Sequence, residues 1–109
     1  MVGDFALNNL RRVTATKCFI GCAGLTPEQG LTTSILQEAS INEMMMMRAT
    51  ERIIVADHSK IGKTQSFVSG TLRAGDKIIT DTEASRSTLD RFRRMGIEVI
   101  QVAPLRSLK

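Results

Sequence analysis

The chain has 109 residues, a formal net charge of +4, 42% hydrophobic and 24% charged residues, a usage that excludes a disordered or fibrous protein and fits one domain able to bury about two-thirds of its unfolded surface. Aromatic residues make up only 4%, with no Trp or Tyr, which argues against a base-stacking nucleic-acid platform. The positive balance permits anion binding, yet no Lys/Arg run exceeds two residues, so the basic side chains read first as solvated faces.

In chain order, Phe5, Ala6, Leu7, Leu10 and Val13 predict a short amphipathic helix with Asp4 as its cap. Residues 17–22, KCFIGC, read as a strand that puts Cys18 and Cys22 on one face as small buried hydrophobes. Gly24, Pro27 and Gly30 then mark a loop. Ser34 and Gln37 have capping-box spacing and open a helix running to about Thr50; Ser40 and Glu43 repeat the spacing, which points to a break near residue 40. Met44 to Met47 sweep every face of that helix, so at least one Met is exposed or covered from outside the segment.

Ile53, Ile54, Val55 and Ala56 form an unalternating apolar run that reads as a buried strand ended by Asp57. A second run, Lys77 to Thr80, also ends at an acid, Asp81. Thr82 to Met95 predicts a helix with Leu89, Phe92 and Met95 on one face, Arg91, Arg93 and Arg94 at its C-terminal end and Gly96 as its stop. Ile97 to Val102 supplies the last strand. This order predicts a single α/β domain over residues 1–109, a mostly parallel open sheet with right-handed crossovers and helices on both faces.

Three constellations bear on chemistry. Gly62, Lys63 and Thr64 spell the end of a phosphate loop, but Asp57 stands at its first glycine and no helix is predicted after Thr64, so a nucleoside-triphosphate site is rejected. Cys18 or Cys22 with His58 lacks an orienting third group. With one His and no second Cys pair there is no metal ligand set, and no cofactor is expected. The third is a composite pocket: Gly21 and Gly24 at a strand end, Gly30, Thr32 and Thr33 opening a helix whose free N–H groups attract anions, and Asp57, Ser59 and Lys60 closing a neighbouring strand. These would seat a small polyhydroxylated anion, hydroxyls on Asp57 and Thr32, phosphate on Lys60 and the helix end.

FIGCAG, GLTT followed by Glu38 and Ala39, IIVADHSKIGK and IITD, in that order, resemble the effector-binding domain of DeoR-type sugar-operon repressors, itself similar to ribose phosphate isomerases. The likeness covers about residues 3–102. It implies a sensor domain that binds a phosphorylated sugar or sugar alcohol and alters the grip of a winged helix-turn-helix domain on operator DNA. It implies too a cytoplasmic homo-oligomer without membrane contact, in keeping with the absence of any apolar stretch of signal or membrane length. The DNA-binding domain and the first half of the sensor domain have no counterpart in these residues, so operator contact is expected only through a missing N-terminal domain. The isomerases carry acids where this chain has Gly21 and Gly24, and a Lys where it has Gln29. Proton shuttling needs both, so catalysis is not expected; the alternative is a small isomerase-like enzyme using Glu38 as base. A third reading, nucleic-acid binding through Arg91, Arg93 and Arg94, requires affinity that falls steeply with salt.

Overall fold

A computed structural model describes residues 15–103; the helix expected around residues 4–13 lies outside them. The elements are β1 (Ala15–Gly21), β2 (Gly24–Thr26), β3 (Gly30–Thr33), α1 (Leu36–Arg48), β4 (Ala49–Val55), β5 (Phe67–Gly70), β6 (Lys77–Asp81), α2 (Arg86–Arg94) and β7 (Glu98–Val102). Four strands form a wholly parallel sheet in the order β1-β4-β6-β7, while β2, β3 and β5 make a small antiparallel sheet.

The parallel α/β architecture expected from the apolar runs is therefore present. Its strand order never reverses, and right-handed crossovers that always step the same way leave their helices on one side. Side-chain burial agrees. Ile20, Ile54 and Ile78 lie in one register row and are buried with Met46 of α1 and Leu89 and Phe92 of α2. The alternate residues point to the other face, where Phe19 is 64% exposed, Val55 45%, Ile100 37% and Val102 48%. Among the described residues, helices cover one face of this sheet rather than both.

The helix ends follow local chemistry unequally. At the end of α2, Met95 is the C-cap and Gly96 turns left-handed at φ +86, with Gly96 N–H donating to Arg93 O (3.0 Å) and Ile97 N–H to Phe92 O (3.2 Å), the paired bonds of a Schellman stop. Helix α1 departs from expectation. Its N-cap is Ile35, without a side-chain cap, rather than Ser34. No break occurs at residue 40: the helix runs through it, and Ser40 Oγ donates back to Leu36 O at 3.4 Å instead of capping a new turn. The chain leaves α1 at Arg48 and enters β4 directly, so residues 49 and 50, expected to be helical, belong to a strand. Met46 is buried and Met47 exposed, as a run sweeping every face requires.

Residues 24–30, expected as a loop, instead contain β2, a three-residue turn and the start of β3, with Gly30 at φ +73. Leu25 and Leu31 face each other in this hairpin and are wholly buried. On the covered side Arg52 of β4 and Asp76, just before β6, form a buried pair: Arg52 Nε donates to Asp76 Oδ1 at 2.8 Å and Nη2 to Oδ2 at 2.5 Å, while Nη2 also reaches Thr71 O at 2.6 Å. Asp76 Oδ2 further accepts from Arg73 N–H at 2.9 Å. One guanidinium thereby ties β4 to the connection between β5 and β6.

Candidate functional site

All four parallel strands end on one rim, and their carboxyl ends deliver Gly21, Ala56–Asp57, Asp81 and Val102 to it. The turn after β4 is held by its own hydrogen bonds. Asp57 Oδ1 accepts from Ser59 N–H (2.8 Å) and from Ser59 Oγ–H, and Lys60 N–H closes onto Asp57 O at 3.0 Å. Lys60 Nζ lies 3.5 Å from Ser59 Oγ. The Ser59 hydroxyl first, then the Ser59 N–H and the charges of Lys60 and His58, hold the Asp57 carboxyl below the usual carboxylate range. Beyond the turn the chain is clamped to the hairpin, Leu25 N–H donating to Lys60 O (3.0 Å) and Gly62 N–H to Leu25 O (2.8 Å). That clamp places the lysine beside β2.

The turn borders two cavities. The first, about 330 Å³, has Gly21, Cys22 and Ala23 on one side, Thr33, Ser34 and Ile35 on another, and Glu38 and Asn42 of α1 with Lys60 completing it. The second, about 430 Å³, is floored by Val55, Ile79 and Val102 and rimmed by Asp57, His58, Ser59 and Asp81. Of the residues the sequence singled out, Gly21, Thr33 and Lys60 share the first cavity, whereas Asp57 and Ser59 border the second. Gly24, Gly30 and Thr32 line neither.

Those three serve the hairpin. Thr32 is 1% exposed and its Oγ1 accepts from Gln65 N–H at 2.8 Å. GLTT is the strand β3, not the opening turn of a helix, so its amides are paired with β2 and β5 rather than aimed at an anion. Sequence reasoning missed Ser34, in the β3–α1 connection, and Asn42 as lining residues; the phase of α1, which decides Asn42, depends on packing against β5 and β1.

The cysteines are free. Burial pushes the Cys22 thiol up to about 11, against the opposing pull of Lys60, so it stays protonated and non-nucleophilic at neutral pH. His58 does have an orienting partner, though not a cysteine. Its Nδ1 lies 2.8 Å from Asp81 Oδ2, which also accepts His58 N–H at 2.9 Å, while Asp81 Oδ1 takes Glu83 N–H at 2.9 Å. The two strands that end in Asp gave the only sequence signal for this pair.

The hydrogen bond to Asp81 raises the His58 pKa above its ordinary 6.5. Asp81 is pushed up by burial but more strongly held down by the His58 and Glu83 hydrogen bonds, and lies below 3.8. The imidazole's contribution to stability is therefore complete below pH 6.5 and lost as pH rises through its raised value. That of Asp81 is present above 3.8 and lost as pH falls through its depressed value. His58→Gln is expected to flatten the decline in Tm between about pH 6 and about pH 8. Calorimetric scans at fixed ionic strength check this; an unchanged slope would show that the pair is energetically silent.

Among the described residues no group of three or more His, Cys, Asp or Glu side chains is arranged to hold a metal ion, and no helix is long and apolar enough to cross a membrane.

Fold and site together define an open parallel α/β domain with a cluster of polar groups on the carboxyl rim of its sheet. The chain belongs to the DeoR C terminal sensor domain family, whose model it matches over residues 1–82. It is 30% identical over 100 residues to the HTH-type transcriptional regulator GlpR of Haloferax volcanii, covering 92% of this chain and 39% of that protein. It is 28% identical over 100 residues to the HTH-type transcriptional repressor GlcR of Bacillus subtilis, covering 92% and 38%. It is also 32% identical over 63 residues to the deoxyribose operon repressor of Escherichia coli, covering 58% and 25%. The chain thus spans about two-fifths of the length of the first two of these relatives.

Proposed function

We propose that this chain is the effector-sensing part of a DeoR-family transcriptional regulator of sugar metabolism, and that the effector is a phosphorylated sugar or sugar alcohol seated in the 330 Å³ cavity. The observation that carries the reading is convergence: the end of β1, the β3–α1 connection, helix α1 and the Lys60 turn all meet at that cavity, on the carboxyl rim of a parallel sheet. Lys60 supplies the cation for the phosphate, and the exposed backbone beside Gly21 allows close approach. Thr33 and Ser34 add hydroxyl partners. Asp57 and Ser59 act one step removed, by fixing the turn that presents Lys60.

Operator DNA is contacted by a winged helix-turn-helix domain outside this sequence, and the regulator works in the cytoplasm as a homo-oligomer. The relatives are named as transcriptional regulators and repressors, which supports sensing over isomerase chemistry with Glu38 as base.

Lys60→Ala is expected to weaken binding of a sugar phosphate about 10- to 100-fold, the loss of a charge-assisted contact. Titration calorimetry of the parent chain and the variant with a panel of sugar phosphates measures it. Equal affinities would remove Lys60 from the site.

A further inference from the structure

We infer that Asn42, together with Glu38, forms the wall that reads the hydroxyl groups of the effector and so sets which sugar phosphate is accepted; this rests on the sensing role proposed above. Residues 38 and 42 are one helical turn apart and fall on the same side of α1. Both line the 330 Å³ cavity, with Lys60 in the same lining. Glu38 belongs to the first turn of the helix, and the two positions are separated by about 6 Å along the axis, enough to fix orientation rather than mere presence.

The state of the Asn42 side chain is the second observation. It is half-buried, yet its amide has no hydrogen-bond partner among the described residues. An amide can donate two hydrogen bonds and accept two, and with no partner among the described residues those positions are open to a ligand in the cavity. Glu38 is a pure acceptor when ionised; Asn42 is donor and acceptor. Hydroxyls, which donate and accept at one atom, satisfy both, whereas an apolar ligand would satisfy neither. In the same lining Lys60 takes the anionic end. A volume of about 330 Å³ lies at the small end of the range for ligand sites, which suits a single phosphorylated monosaccharide. A site built to hydrogen-bond a hydroxyl discriminates strongly against the analogue that misplaces it.

Titration calorimetry on the full chain tests this with three probes: ribose 5-phosphate, its epimer arabinose 5-phosphate, and inorganic phosphate. Asn42→Ala is expected to weaken the better of the two pentose phosphates about five- to tenfold and to shrink the ratio between the epimers, while phosphate affinity stays within about twofold. Lys60→Ala weakens all three. If Asn42→Ala does not fold, as judged by circular dichroism, Asn42→Leu keeps the shape, removes the amide's donors and acceptor without adding a charge, and carries the same expectation. Unchanged pentose affinities, or an equal loss for all three probes, would overturn the role of Asn42 and leave the sensing role standing. Failure of the parent chain to bind any of the three would remove both.

Discussion

Arg52→Ala is expected to destabilise the protein by about 3–5 kcal/mol, the range for breaking one side of a buried ion pair. Arg52 and Asp76 are 6% and 2% exposed, and the guanidinium serves both carboxylate oxygens as well as Thr71 O. Its removal leaves a buried carboxylate with the Arg73 N–H as its hydrogen-bond donor and the half-exposed Arg73 guanidinium 3.9 Å away, and leaves a carbonyl without its partner. Pairs of this kind contribute less than their geometry suggests, because both charges were desolvated to make them. Hence the double replacement Arg52→Met, Asp76→Leu is expected to cost less than Arg52→Ala alone. Urea unfolding followed by circular dichroism measures both. A single-variant loss below about 1 kcal/mol, the level of a solvent-exposed pair, would show that the site is wet.

The second large effect is expected at Gly24. A Cβ placed there would fall well inside contact distance of the Lys63 carbonyl oxygen and 2.7 Å from Thr32 Oγ1. Neither can retreat easily: Lys63 follows the turn clamped to Leu25, and Thr32 Oγ1 holds Gln65 N–H. Gly24→Ala is expected to destabilise by about 1–3 kcal/mol, the usual penalty for overpacking a closed site. The sequence suggests a glycine kept for ligand approach; the structure gives it to the hairpin. Thermal unfolding without ligand separates these roles. An unchanged Tm with weakened effector binding would restore the ligand-approach role.

What the sequence made legible was local. The runs at Ile53 and Ile78 declare buried strands because no polar residue interrupts them, and Gly96 declares the end of α2 because the left-handed turn needs it. The hairpin was illegible because its strands are three and four residues long and are held by distant partners, as Thr32 is by Gln65. GLTT, a glycine followed by hydroxyl side chains, has the look of a helix entry; pairing with β2 on one side and β5 on the other makes it a strand. Arg52 illustrates the same limit, since its counter-charge lies 24 residues away.

The candidate site divided along similar lines. Lys60 and Gly21 follow from the rule that polar turns gather at carboxyl strand ends. Asn42 does not, because Met44 to Met47 blur the phase of α1 and packing alone decides which side looks into the cavity.

The unreversed strand order has a consequence for how a signal could leave this domain. Among the described residues both helices pack behind the sheet, so Ile54 is locked into the interior while its neighbour Val55 looks out in front. Val55 is two residues from Asp57 and five from Lys60. Any body resting on the front that the described residues leave open therefore leans on the same strand that leads into the Lys60 turn, with Val55 about 7 Å along the chain from Asp57. A change in that turn and a contact on this face are thus joined through one strand.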